Sequence, residues 1–251
     1  MLRVIITGAS SGIGATLAQL YARRGATLGL IARRKAALDE LAGLLPVTVE
    51  TYGADVRDAA AMRAAALHFL DHHGTPDIVI ANAGVSIGTL TEFAEDLDAF
   101  QEVMDINVVG MVKSFQPFLM PMRTAGRGAL VGIASVAGYR GLPGAAAYSA
   151  SKAAAISYLE SLRVELRSSG IKVITICPGY ITTPMTAKNP YPMPFILSAE
   201  VAARKITGII ERGKLFSVIP WQMAVVARLL RLLPNFLYDW VFSRAPRKPR
   251  R

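Results

Sequence analysis

The chain has 251 residues, one cysteine (Cys177), 52% hydrophobic and 18% charged residues. That excludes general disorder, a secreted disulfide scaffold and a multi-thiolate metal cluster, and it allows one α/β domain with a substantial core. The net charge of +10 sits at one end: Met1–Ala203 holds 17 basic and 16 acidic residues, against 11 basic and two acidic from Arg204 onward. A nucleic-acid reader needs a basic stripe on the fold itself, so no nucleic-acid partner is expected.

Short β-branched runs alternate with longer segments of helical spacing. Strands are expected at Val4–Thr7, Thr27–Ala32, Val47–Tyr52, Ile78–Ala81, Ala129–Ile133, Val173–Cys177 and Leu215–Ile219. Helices are expected at Ile13–Arg24, Ala36–Leu44, Ala59–His73, Asp98–Leu119, Ala146–Ser168 and Ala199–Arg212. Strict alternation means right-handed crossovers and a doubly wound parallel sheet with helices on both faces. Residues 1–219 read as one domain and 220–251 as an appendage. Met1-Leu2-Arg3 runs straight into Val4-Ile5-Ile6, too short for a signal h-region, so a cytoplasmic location is expected. His68 and His72 are spaced to share a metal, but no cysteine or carboxylate completes a site, so no metal is expected.

After the first strand comes Thr7-Gly8-Ala9-Ser10-Ser11-Gly12-Ile13-Gly14, then a helix. A tight turn and a close backbone approach to pyrophosphate both demand glycine, and the helix N-terminus offers free N–H groups. The spacing differs from the usual Gly-x-Gly-x2-Gly. It resembles the short-chain dehydrogenase/reductase family, as do Ala81-Asn82-Ala83-Gly84 (with Ala81 replacing an Asn), Asn107, Ser135, Tyr148-x3-Lys152 and Pro178-Gly179-Tyr180-Ile181-Thr182-Thr183. These motifs follow in order over roughly residues 3 to 220.

The resemblance implies a Rossmann-type fold and a nicotinamide cofactor held by Gly8, Ser10, Ser11, Gly12, Ile13, Gly14, Asp55, Val56, Asn82, Ala83, Gly84, Tyr148, Lys152, Pro178, Gly179, Ile181 and Thr183. Ala32 stands where an NAD enzyme carries an acid, and Arg33 follows it, which favours NADP(H) over NAD(H). The resemblance implies that Asp55 accepts from the adenine amino group; a cap of the helix that follows is a compatible second role. Tyr148 and Lys152, four apart, share a helix face; the ammonium should lower the phenol pKa, making Tyr148 a general acid and base. Ser135 would hold the substrate oxygen, and Asn107 would position a water linking Lys152 to solvent.

Pro184–Leu197 is the expected substrate loop. Its Tyr191, Met193 and Phe195 would join Ser135 and Tyr148 around a lipophilic substrate of steroid, retinoid or long-chain type, with Lys188 and Asn189 its strongly polar groups. Trp221–Leu233 is too short to span a bilayer. With the aromatics of Asn235–Phe242 and Arg244, Arg247, Lys248, Arg250 and Arg251, it reads as a peripheral attachment to an anionic membrane, a pocket lid or a dimer interface. Family resemblance also implies a homodimer or homotetramer through Asp98–Leu119 and Ala146–Ser168. Two alternatives stay open: a 3-oxoacyl reductase acting on acyl chains, and a non-catalytic NADP(H) sensor or scaffold.

Overall fold

The computed structural model describes residues 1–187, 189–245 and 247–250; Lys188 and Arg251, both singled out above, lie outside the described residues. Five βα units lead the chain: β1 (Arg3–Thr7), α1 (Gly12–Ala22), β2 (Thr27–Ala32), α2 (Lys35–Gly43), β3 (Val49–Gly53), α3 (Ala59–His73), β4 (Ile78–Ala81), α4 (Asp96–Met104), α5 (Gly110–Ala125), β5 (Gly128–Ile133) and α6 (Ala146–Glu165). There follow β6 (Ile171–Pro178), the short β7 (Ile181–Thr182) and β8 (Leu197–Ser198), α7 (Ala199–Glu211), β9 (Phe216–Ile219), α8 (Trp221–Leu232) and α9 (Asn235–Phe242).

The main sheet runs β3-β2-β1-β4-β5-β6-β9, and every pairing in it is parallel. This is a single Rossmann-type α/β domain. The strand order reverses between β1 and β4, and that switch point opens a crevice beyond the strands' carboxyl ends. Central strands are buried on both faces, as parallel strands covered by helices must be. One core cluster packs α1, α2 and α7 against one face, and a second packs α3, α5 and α6 against the other.

The helix expected at Asp98–Leu119 is two helices joined by a π-helical turn, Asp105–Val109. The extra residue in that turn lets Asn107, fully buried, aim its amide at the loop after β4. Helix α5 also runs past Leu119 through Pro121 and ends where Gly126 adopts a left-handed conformation. At α3 the cap is Asp58, whose carboxylate accepts from the N–H groups of Ala60 and Ala61, which corrects the expected cap at Asp55. The three histidines take protein partners: His68 meets Tyr52, His72 meets the His68 carbonyl, and His73 meets Glu50. Among the described residues no helix is long and apolar enough to cross a membrane.

Candidate active site

The crevice holds a cavity of about 670 Å³. One end is built by the glycine turn. At Gly8, φ is +67° and an added Cβ would stand 2.7 Å from the Ala83 Cα; at Gly14 it would stand 2.4 Å from the Gly8 carbonyl oxygen. Side chains cannot fit there, so the backbone of β1, α1 and the β4 loop can close on one another. Thr7 and Asn82 lock this arrangement. The Thr7 hydroxyl accepts from the N–H groups of Asn82 and Ala83, while Asn82 Nδ2 donates to the carbonyls of Thr7 and Gly8. Thr7 was not singled out from the sequence as a site residue; its position directly before Gly8 was the available signal.

Gly8, Ser10, Ser11, Gly12 and Ile13 line this end, joined by Ala32, Arg33, Arg34, Asp55 and Val56 from the ends of β2 and β3. Gly14 supports the turn without lining it. Arg34, which the sequence reading passed over for Arg33, donates to Ser10 Oγ at 3.1 Å and so reaches across to the glycine turn. Lys35 turns away, pairing with Asp39 one turn on. Asp55 is engaged by Arg57, whose Nη2 lies 2.7 Å from Oδ2, and this contact holds its carboxyl below the usual range.

The other end gathers Asn82, Ala83, Gly84, Ser135, Tyr148, Lys152, Pro178, Gly179, Ile181 and Thr183. Ser135 sits where β5 gives way to a short turn and accepts from the Ala137 N–H. Tyr148 and Lys152 project from the first turns of α6, with Lys152 Nζ 5.7 Å from the phenol ring centre. The Lys152 ammonium donates to the Ile133 carbonyl at 2.9 Å. Burial pushes Lys152 down to about 8 and pushes Tyr148 up, the latter opposed by a hydrogen bond from Ser135. The expected lowering of the phenol by Lys152 is not seen here: burial is the largest influence on Tyr148, and the Ser135 hydrogen bond is what opposes it. Cys177, buried behind the site, is pushed up to about 12 and is inert at neutral pH.

Asn107 does not line the cavity. Its Oδ1 accepts from the Val85 N–H at 2.8 Å, and its Nδ2 donates to the Val85 carbonyl and to Ser151 Oγ. The side chain thereby ties the loop after β4 to α6.

In the expected substrate loop the cavity is lined by Pro184, Met185 and Thr186. Tyr191 lies near both Tyr148 and Tyr180, with ring centres of Tyr180 and Tyr191 6.5 Å apart. Met193 receives the Asn189 amide on its sulfur, and Phe195 is half exposed.

The profile of the short chain dehydrogenase family matches residues 3–192. An uncharacterised oxidoreductase of Myxococcus xanthus is 41% identical over 240 residues, covering 94% of each chain. An 11-beta-hydroxysteroid dehydrogenase-like protein of Arabidopsis thaliana is 35% identical, covering 95% of this chain and 81% of that one. Among solved structures, a short-chain dehydrogenase from Sphingobium yanoikuyae in complex with NADPH superposes with a TM-score of 0.78 at 29% identity, covering 94% of this chain and 97% of that one. The chain belongs to the short-chain dehydrogenase/reductase family and is an oxidoreductase.

Proposed function

We propose that the protein is an NADP(H)-dependent oxidoreductase interconverting a carbonyl and an alcohol on a lipophilic substrate. One observation carries this: a single cavity has two arginines at one end and a buried serine–phenol–lysine set at the other. The cradle fits a dinucleotide, since the glycine turn admits a pyrophosphate to backbone N–H groups where any Cβ would collide. Arg33 and Arg34 suit a 2′-phosphate, and the NADPH bound by the Sphingobium relative supports the same choice.

A bound nicotinamide would supply hydride to the carbonyl carbon. The protein's part is proton and charge management at the carbonyl oxygen. Tyr148 gives its phenolic proton to that oxygen in reduction and takes it back in oxidation. Ser135 donates a hydrogen bond to the same oxygen, stabilising its developing charge. Lys152, with a value near neutral pH, holds a proton beside the phenol. Asn107 is a positioning residue, fixing α6 against the loop that carries Gly84.

Pro184 and Met185 at the cavity edge support a lipophilic substrate, as does the steroid dehydrogenase name of the Arabidopsis relative. A screen of lipophilic ketones and alcohols against NADPH, NADH and their oxidised forms tests the proposal. Absence of turnover with every pairing, despite tight NADPH binding, would favour the sensor or scaffold instead.

A second reading concerns the extension. Trp221, Val225, Leu229 and Leu232 share an exposed stripe on α8, and Phe236 and Trp240 are 76% exposed on α9. Apolar surface of this kind beside a basic terminus supports peripheral binding to an anionic membrane. Co-sedimentation with anionic vesicles, weakened by salt, tests it; a smaller solution mass after removal of residues 234–251, without vesicle binding, would mark a dimer interface.

A further inference from the structure

Residues 247–250 do not trail into solvent. They return to the body and lie across the loops that follow β4 and β5. Arg250 anchors them: its Nε donates to Asp96 Oδ2 and its Nη2 to Glu95 Oε1, both at 2.8 Å, and its guanidinium stands 3.6 Å from the Phe93 ring centre. Asp96 is itself buried and accepts from the Leu90 N–H, so the anchor point is built into the fold. The Gly88 N–H then donates to the Pro249 carbonyl. A Cβ on Gly88 would stand 2.4 Å from that oxygen, and one on Gly144 would stand 2.8 Å from the Arg247 Cβ. The strand of chain is seated where two side chains are missing.

This seating brings Lys248 to the catalytic phenol. Its Nζ lies 6.0 Å from the Tyr148 ring centre and donates to Ser86 Oγ at 2.7 Å. The neighbouring acids, Glu95 and Asp96, are taken by Arg250, and no acidic side chain among the described residues pairs with Lys248. Half-buried, it is pushed below the ordinary lysine value by desolvation. A cation held beside the reacting centre, with a hydroxyl as its one hydrogen-bond partner among the described residues, is a place for an anion to bind.

We propose that residues 247–250 form one wall of the substrate mouth and that Lys248 there binds a carboxylate of a lipophilic oxo or hydroxy acid. The inference rests on the carbonyl–alcohol reading of the site and adds the substrate's second functional group. One compact ammonium suits a singly charged carboxylate, whereas a phosphate ester calls for several donors or a guanidinium fork. The apolar substrate loop accommodates the rest of the molecule.

The test separates binding from chemistry. Dodecanoate and dodecanol are titrated calorimetrically into the full-length protein saturated with NADP⁺, using wild type, Lys248→Met, Arg250→Ala and Gly88→Ala. Lys205→Met removes an equal charge elsewhere. A charge-assisted contact predicts roughly tenfold or greater preference for the carboxylate in wild type. It should be retained in Lys205→Met and lost in the other three. Equal binding of acid and alcohol by wild type, or a preference that survives Lys248→Met, overturns the proposal. In parallel, oxododecanoates with the carbonyl at the third, fifth or seventh carbon are offered with NADPH beside their methyl esters. Carboxylate selectivity in binding, with no oxo acid or ester reduced, upholds the anion subsite and refutes the carbonyl chemistry.

Discussion

Cofactor choice gives the sharpest quantitative test, through Arg33→Ala, Arg34→Ala and the double variant. Both arginines are exposed, so the lower end of the range for a charge-assisted hydrogen bond applies, about 1.5 kcal/mol each, or roughly tenfold in affinity. Arg34 is held toward the glycine turn by Ser10, and it should keep part of the 2′-phosphate contact when Arg33 is lost. Each single variant should therefore weaken NADPH by about tenfold or less and the pair by more than either alone, with NADH affinity unchanged, since two neighbours on one phosphate do not add independently. Stability should not follow. The two cations flank the N-terminus of α2, where they oppose the helix dipole, so their removal should leave the melting temperature level or slightly higher. Fluorescence titration with NADPH and NADH, alongside thermal melts, reads both effects. Equal use of NADH and NADPH by the wild type refutes the reasoning, as does a double variant that loses both cofactors together.

Other consequences follow from the buried end of the site. Tyr148→Phe should cost about 10²–10⁴ in turnover while NADPH affinity stays within a few fold, measured by steady-state rates and titration. Lys152 loses its proton as pH rises through about 8, whereas Tyr148, raised by burial, keeps its own; the rate of reduction should fall above that pH, and a profile flat to pH 10 contradicts this. Unfolded lysine stays charged to about 10.4, so the unfolded state holds more protons between these values and Lys152 should make stability rise with pH there. Asn107→Ala strands Val85 and Ser151 partners in a fully buried position and should cost about 2–4 kcal/mol of stability, seen as a lower denaturation midpoint with m unchanged.

The alternation of strands and helices was legible because parallel strands covered on both faces are largely apolar, and the five central runs stand out; the edge strands β3 and β9, read as buried in the same way, are only partly covered. The cavity's two ends were legible for a different reason: the glycine turn and the Tyr148–Lys152 pair are local motifs whose geometry follows from a turn or one helical step. What escaped is what long-range packing decides. Helical periodicity cannot register the one-residue slip at Asp105–Val109, because the benefit comes from Asn107 meeting Val85 on a distant loop. Nor can a cluster of three cations, Arg33 to Lys35, reveal which will face the cavity. Asp39 and Thr51 claim Lys35, and Ser10 holds Arg34.

The basic extension shows the same limit most plainly. Summed as charge, it marks only a positive end to a nearly neutral body, and lipid, partner and lid all suit it. The contacts divide that charge into separate tasks. Arg140 hydrogen-bonds the carbonyls at the end of α8 and Asn235 at the start of α9, and so fixes the turn between these helices. The Tyr238 hydroxyl reaches back to the Gly141 carbonyl, directing the chain toward the active-site side of the body. Arg250 is then neutralised by two acids, while Lys248 is delivered beside Tyr148 with no acid paired to it among the described residues. The apolar stripe of α8 and α9 remains outside these contacts. The proposed membrane attachment through the helices and the proposed substrate selection through residues 247–250 are thus compatible, because they use different atoms of the extension.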